Sequence, residues 1–289
     1  MASAGLPVAG IRLVTVRRRA SVPWLMWICF GIALLLVVLA LFGTTLAPYN
    51  PSAQNLSDVL ARPGGAHWLG TDSLGRDVLS RIMAGARSAC LGPVVIAGGS
   101  MLLGNLLGLL AGYRGGRIDA IIMRWVDLMW SIPGLLVIIV VAGAVGADYW
   151  LAVGLLLILT IPFDTRTVRG AVLEQAPRPY VEAARTLGVA DWRIMIFHIW
   201  PNVLPVAVAN AFLNFAGSVG FLAGLSFLGF GAPVSSPDWG VQLSQGLQSL
   251  FQNPIGMLAP GAMIVLTATS VNLIGDWVYE QLSSRGAGR

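Results

Sequence analysis

The composition of this 289-residue chain excludes an ordinary water-soluble domain. Apolar residues make up 56% of it, charged residues only 11%, and its mean hydropathy is +0.77, whereas soluble proteins carry about 25% charged residues. All 18 basic residues are arginine, so the chain has neither the lysine of a Walker A phosphate loop nor one that forms a Schiff base. The chain is therefore predicted to be an integral membrane protein that does not itself hydrolyse ATP.

Six apolar segments approach the length of about 20 residues that a helix needs to cross a bilayer. The first follows an arginine cluster at 17–19, but it is too long for the apolar part of a signal peptide and no small-residue cleavage site follows it. It is therefore expected to remain as an anchor. The predicted fold is all-α, with six transmembrane helices at residues 24–46, 88–113, 120–145, 149–161, 203–222 and 255–277.

The arginines orient these helices, because basic residues that flank membrane spans stay on the cytoplasmic side. With the N-terminus inside, 14 of the 18 arginines are cytoplasmic and only Arg62, Arg76, Arg81 and Arg87 are outside. Both termini are then cytoplasmic, and the basicity reports topology and not nucleic-acid binding. The predicted parts are a cytoplasmic segment 1–23, an outer loop 47–87, a five-helix core 88–277 that includes a cytoplasmic loop 162–202, and a cytoplasmic tail 278–289.

Candidate catalytic and metal-ligating residues are too few and too scattered for an enzyme. Cys29 and Cys90 both fall inside predicted spans, and His67 and His198 lie on opposite sides of the membrane in this topology. The loops carry no nucleophile motif and no pair of carboxylates that suits catalysis. No catalytic residue, metal site or bound cofactor is predicted.

The cytoplasmic loop 162–202 is the most informative segment, and its sequence predicts two short helices. Pro179 suits a first helical turn, and Gly188 supplies the left-handed residue that ends a helix. Asp191 is expected to cap the second helix, and Pro201 to break it. The first helix places small and bulky apolar residues on one face, which suits either docking to another protein or a plain connection along the membrane: Tyr180, Ala183, Ala184 and Leu187.

Resemblance to a known family decides between these two interpretations. The stretch Tyr180-Val-Glu-Ala-Ala-Arg-Thr-Leu-Gly188 and the later His198-Ile-Trp-Pro-Asn202 resemble the EAA loop of binding-protein-dependent ABC importer permeases. Arg166 and Arg169 fit the basic approach to that loop. The resemblance implies a coupling helix that docks in a groove of a separate ATPase subunit through Tyr180, Glu182, Ala183, Ala184, Arg185, Leu187 and Gly188.

Two further segments resemble the dipeptide, oligopeptide, glutathione and nickel branch of that family. They are residues 67–81 with 85–87, and residues 225–231 with 237–240. The resemblance implies a type I importer fold in a bacterial inner membrane, short peptides as substrate, and nickel complexes, glutathione or haem as alternatives. It also implies a homologous sister permease, two cytoplasmic ATPase subunits that bind ATP and magnesium, and an extracytoplasmic substrate-binding protein.

The outer segment before the second span is predicted to form an amphipathic helix. Asp72 would cap it, Leu74, Val78 and Ile82 would form its apolar stripe, and Asp77 would pair with Arg81. Such a helix either docks an outer partner or shields the outer ends of the spans. The predicted outer docking residues are Asp72, Arg76, Asp77, Asp238 and Trp239.

Small and polar residues recur every four positions inside two of the spans. Gly104, Gly108 and Gly112 predict close packing of the second span on a neighbour. On the fifth span, Asn210, Asn214 and Ser218 are expected to face protein or water, because polar groups that face lipid are costly. They either line the substrate path or form hydrogen bonds between helices of this subunit.

A secondary transporter or channel is the competing class of function. That class predicts an inverted repeat and ionisable residues at the middle of the membrane, and the sequence has no convincing repeat and almost no charge at the predicted span centres. It also leaves the loop at 180–188 unexplained.

Overall fold

The computed structural model describes residues 23–286 of the chain and ten α-helices within them. The arginine cluster at 17–19, on which the orientation partly rests, lies outside the described residues. The helices are α1 (Pro23–Leu46), α2 (Val78–Arg114), α3 (Gly116–Trp130), α4 (Gly134–Val145), α5 (Tyr149–Gln175), α6 (Pro179–Thr186), α7 (Asp191–Arg193), α8 (Trp200–Phe227), α9 (Trp239–Gln248) and α10 (Ile255–Gly286).

Two long helices, α2 and α5, pack against each other along the middle of the molecule, and α8 lies against both. A Cβ atom added at Gly104, Gly108 or Gly112 would lie 2.5 to 2.8 Å from a side chain of α5, closer than real Cβ contacts. The predicted stripe of small residues is therefore confirmed, and it allows the backbones of α2 and α5 to approach closely.

Five helices are long and apolar enough to cross a membrane unbroken, and α3 with α4 forms a sixth candidate that is bent by 73°. The prediction of one continuous third span over 120–145 is wrong. Pro133 precedes α4 in an extended conformation, with φ −60° and ψ 112°, and a proline also disfavours helical geometry at the residue before it. The chain therefore turns between the two helices.

The fourth predicted span ended at 161, but α5 continues to Gln175 with Pro162 inside it. Its packing along α2 outweighs the backbone hydrogen bond that Pro162 removes. The loop predicted to be cytoplasmic therefore begins 14 residues later than expected. This brings Asp164, Arg166 and Arg169 onto α5.

The outer segment 72–77 is a turn, so the predicted amphipathic helix is wrong there. Gly75 has a φ of +71°, and a Cβ atom on it would lie 1.8 Å from the carbonyl oxygen of Asn55, which leaves no room for a helix with side chains. The helix begins at Val78, and its cap is Asp77, whose carboxylate accepts from the Ser80 amide at 2.8 Å. Asp77 pairs with His67 at 2.9 Å, and not with Arg81.

The predicted break of the helix at Pro201 is absent. Residues Ile194–Ile199 form a π-helical turn between α7 and α8, and the Trp200 amide donates to the carbonyl of Met195. Pro201 lies in the first turn of α8, where its missing amide hydrogen costs little. The chain is therefore helical without a break from Asp191 to Phe227. Turns of π-helix of this kind are frequent at functional sites.

Candidate functional site

The predicted docking helix is present as α6, with both predicted end signals in place. Pro179 occupies the first turn. At the other end Gly188 has a φ of +73°, its amide donates to Arg185, and the Val189 amide donates to Ala184. This pair of bonds is the Schellman motif, in which a left-handed residue closes the helix. The helix therefore has defined ends.

The two faces of α6 have opposite environments. Val181 and Ala184 are 0% and 5% exposed, so Ala184 belongs to the inner face and not to the exposed face predicted for it. Ala183 and Leu187 lie on the exposed face, where Leu187 is 82% exposed, whereas Tyr180 is only 37% exposed. The inner face packs in an apolar cluster with Val168, Val172, Ile194, Ile199 and Val203.

Polar contacts fasten α6 to the C-terminal end of α2. The Tyr113 hydroxyl donates to Asp191 at 3.0 Å and accepts from Arg185 at 3.3 Å, and the Arg185 guanidinium lies 4.8 Å from the Tyr113 ring centroid. Arg114 lies 3.8 Å from Asp191. The prediction that Asp191 caps a helix is wrong, since it is the first residue of α7 and makes no side-chain cap bond. Its carboxylate instead joins α7 to α2.

A second set of contacts joins α6 to α5 and α8 through Tyr180. Its hydroxyl donates to Gln175 at 2.9 Å and accepts from Asn202 at 3.2 Å. Partial burial raises the pKa of Tyr180, and the bond from Asn202 and the charge of Arg178 oppose that rise. The hydroxyl stays protonated and remains a donor.

The two arginines upstream of the loop hold α3 against α5. Arg169 binds Asp119 through two bonds of 2.5 and 2.7 Å, and Arg166 pairs with Asp127. The Arg166 guanidinium also lies 4.5 Å from the Trp130 ring centroid. A bidentate arginine–carboxylate pair fixes orientation as well as distance, so α3 is tied to the helix that leads to the docking loop.

A buried carboxylate inside α5 is a candidate functional residue that the sequence interpretation missed. Asp164 is 1% exposed and accepts from the Asn214 amide at 3.0 and 2.9 Å. Ser100 on α2 accepts from the same Asn214 amide at 3.2 Å. These residues, here called the Asp164 cluster (Ser100, Asp164 and Asn214), join α2, α5 and α8. Ionisable residues inside spans are rare and usually functional.

The polar stripe predicted on the fifth span has its three residues in different settings. Asn214 bonds to other helices of this chain, as the second interpretation of the stripe expected, and Ser218 is buried. The Asn210 side-chain nitrogen is buried and has no partner among the described residues. Whether this stripe also borders the substrate path stays a prediction.

The predicted outer docking residues make contacts inside the chain. Arg76 pairs with Asp72 at 2.7 Å and donates to Gln245 at 2.8 Å, and Asp77 pairs with His67. In the other outer loop, the Asp238 carboxylate accepts from Ser88 at 2.8 Å, and Trp239, 1% exposed, donates to the carbonyl of Ile82 at 2.9 Å. These side chains hold the two loops predicted to be outer onto α2 and α9, and their contact with an outer partner stays a prediction.

Comparison with known proteins places the whole arrangement in one family. Residues 104–286, more than half of the chain, match the family model described as the binding-protein-dependent transport system inner membrane component. The chain belongs to this permease family. Residues 15–63 match a second model, the N-terminal transmembrane domain of oligopeptide transport permease C, so α1 and the following core each have a counterpart there.

Curated relatives of this permease cover nearly its whole length. A probable D,D-dipeptide transport system permease of Escherichia coli is 36% identical over 258 residues, which is 89% of this chain and 87% of the relative. A glutathione transport system permease of Pectobacterium atrosepticum is 36% identical, with 87% and 84% covered. An oligopeptide transport system permease of Bacillus subtilis is 32% identical, with 88% and 83% covered.

The permease fold is also that of a solved ABC transporter. A structure of the MetNI methionine ABC transporter in inward-facing conformations matches with a TM-score of 0.57 and 22% identity, over 70% of this chain and 95% of that one. At this identity the likeness establishes the fold. The prediction of an all-α ABC importer permease fold is confirmed, and a six-span count is consistent with five unbroken spans and one bent pair.

Proposed function

We propose that this permease forms half of the translocation path of an ATP-driven importer of short peptides in a bacterial inner membrane, with both termini in the cytoplasm. A homologous sister permease forms the other half, two cytoplasmic ATPase subunits bind ATP and magnesium, and an extracytoplasmic binding protein delivers the substrate. Support for peptides as substrate comes from the relatives, which include D,D-dipeptide and oligopeptide permeases.

The exposed face of α6 is the observation that carries this proposal. Leu187 is 82% exposed at the end of a short helix whose other face is buried. Tyr180, 37% exposed on the same helix, is of a residue type that is enriched among the anchors at protein interfaces. Because α6 is fastened to α2, α5 and α8 at once, a force applied to this helix by an ATPase reaches three spans.

ATP hydrolysis by the reconstituted complex tests the function and the substrate together. The complex of both permeases, both ATPase subunits and the binding protein is placed in proteoliposomes, and its ATPase rate is measured with a D,D-dipeptide, an L-dipeptide, an oligopeptide, glutathione and a nickel chelate. Stimulation by a peptide supports the proposal. Stimulation by the nickel chelate alone, or no association with ATPase subunits, would contradict it.

Glutathione is the second candidate substrate. The glutathione permease of Pectobacterium atrosepticum matches this chain at 36%, the same identity as the D,D-dipeptide permease. Glutathione is itself a tripeptide, so both candidates share peptide chemistry. The same panel separates them, since the better substrate gives half-maximal stimulation at the lower concentration.

A further inference from the structure

A groove of about 520 Å³ lies between α2 and the beginning of α8. One wall runs along α2 from Gly98 to Leu109, and the other is formed by Ile196 and Trp200. The groove is open, and Ile196 is 48% exposed. Its lining is apolar except for Asn105, whose side-chain oxygen is already buried within the chain. The walls therefore suit an apolar occupant.

The length of the groove matches one leaflet of a bilayer. The helix rises about 16 Å between Gly98 and Leu109, and a hydrocarbon core of about 30 Å gives each leaflet about 15 Å. Leu109 lies near the C-terminal end of α2, which is the cytoplasmic end in the proposed orientation. One acyl chain of the cytoplasmic leaflet therefore fits along this groove.

An unpaired cation lies at the rim of the groove. Trp192, Ile196 and Trp200 follow one another at intervals of four residues in a continuous helical segment, so they share one face. The Arg193 guanidinium lies 5.1 Å from the centroid of the Trp192 ring. Arg193 is exposed and has no acidic partner among the described residues. The rim thus carries a positive charge that the described part of the chain does not compensate.

Contacts of α7 place this rim at the level of the lipid head groups. The Tyr113 hydroxyl, one turn beyond Leu109 on α2, donates to Asp191 at 3.0 Å. Helix α7 therefore begins where the span ends. Tryptophan side chains are enriched at this level of a membrane, and basic pockets between spans on the cytoplasmic side bind anionic head groups.

We propose that this groove binds an anionic phospholipid of the cytoplasmic leaflet, with one acyl chain between α2 and α8 and the phosphate at Arg193. The proposal rests on the proposed function for the orientation of the chain. Ile196 belongs to the π-helical turn that leads into α8. The lipid therefore packs against the segment that connects α6 to α8.

The test labels the assembled importer complex in nanodiscs with photoactivatable lipids. Phosphatidylglycerol and phosphatidylcholine with the same diazirine acyl chain are compared, and mass spectrometry gives the ratio of the two labels at the α2 wall and at the exposed face of α1. A higher ratio at α2 supports the proposal. Arg193→Gln should lower the α2 ratio about fivefold, the effect of one basic residue near an anionic membrane surface. Arg117→Gln, which removes an exposed arginine from α3, should leave the ratio unchanged.

Gly98→Trp tests the groove itself. Gly98 is exposed and has no atom within 4 Å of an added Cβ, so an indole ring can occupy the space of the acyl chain. Labelling of the α2 wall should then be lost. Gly31→Trp, at an equally open position on α1, should retain it.

Two results would overturn the proposal. Equal label ratios at α2 and α1 in the wild-type complex would mean that the groove selects no head group, and no labelling at α2 would mean that another protein segment covers it. Labelling needs neither ATP nor substrate, so both results leave the proposed function intact. A labelled complex without peptide-stimulated ATP hydrolysis would contradict the proposed function alone.

Discussion

The side-chain amide of Asn202 donates to the Tyr180 hydroxyl at 3.2 Å and to the carbonyl of His198 at 2.7 Å. It thereby joins α6 to the first turn of α8 across 22 residues of chain. The same hydroxyl donates to Gln175 at the end of α5. One oxygen atom thus connects the exposed helix to two of the spans.

Tyr180→Phe removes this oxygen and keeps the ring. An exposed hydrogen bond contributes about 0.5–1.5 kcal/mol, so we expect little loss of thermal stability. The coupling of ATP hydrolysis to substrate should be affected more strongly than stability. The ratio of substrate-stimulated to basal ATP hydrolysis should therefore fall. Tyr279→Phe, on α10 and 39% exposed, serves as the control. An unchanged ratio for Tyr180→Phe would show that packing alone connects the helices.

Leu187→Asp tests the exposed face of α6. Burial of a leucine side chain at an interface contributes about 1.5–3 kcal/mol, so the affinity for the ATPase subunit should fall about tenfold or more. Titration of the detergent-solubilised permease pair with ATPase subunit measures this. Leu173→Asp, on α5 and 45% exposed, adds the same charge to a different helix. Equal losses for both variants would mean that α6 is not the main contact.

Gly188→Val tests the backbone at the end of α6. Nothing lies within 4 Å of an added Cβ, so the substitution acts only through the φ of +73°. A β-branched residue there is strained by about 1–3 kcal/mol, and α6 should fray and couple poorly. Gly188→Asn should retain most activity, because asparagine tolerates this region. The ATPase ratio and limited proteolysis of the loop measure both effects, and identical behaviour of the two variants would contradict the backbone explanation.

Gly108→Leu tests the close contact of α2 with α5. A Cβ atom at this position would lie 2.8 Å from both the Val168 Cβ and the carbonyl oxygen of Thr165. Overpacking of this kind costs about 1–3 kcal/mol, and the thermal unfolding midpoint in detergent should drop. Gly98→Leu is the matched control, since Gly98 lies on the same helix with nothing within 4 Å. A drop of the same size at Gly98 would assign the effect to the loss of glycine itself.

Local signals in the sequence predicted the parts of the site that depend on backbone geometry. Gly188 was expected to be left-handed because glycine is the residue that favours this region, and the glycine stripe at 104–112 was expected to pack closely. Both were found. Each of these predictions depends only on residues that are close in sequence, either within a few positions or at helical spacing.

The parts that the sequence did not predict depend on contacts between distant segments. The predicted fourth span ended at 161 and left Asp164 in a loop, but packing on α2 carries α5 through Pro162 to Gln175. Leu74, Val78 and Ile82 have helical spacing, yet the contact of Gly75 with Asn55 excludes a helix before Val78. Ala183 and Ala184 are adjacent in sequence, and only Ala184 is buried because it packs in the apolar cluster with Val168. Periodicity in one segment contains no information on these neighbours.

We expect the bend after Trp130 to make this permease sensitive to the thickness of its bilayer. Helix α4 has 12 residues and is about 18 Å long, against a hydrocarbon core of about 30 Å. Helix α3 has to cross the rest of the hydrocarbon core. Because Asp119 and Asp127 anchor α3 to arginines of α5, this helix cannot tilt freely. Hydrophobic mismatch at this helix pair costs a fraction of a kcal/mol per Å. Lipids with longer acyl chains are therefore expected to strain α3. This helix is bound to α5, and α5 leads to the loop that carries α6.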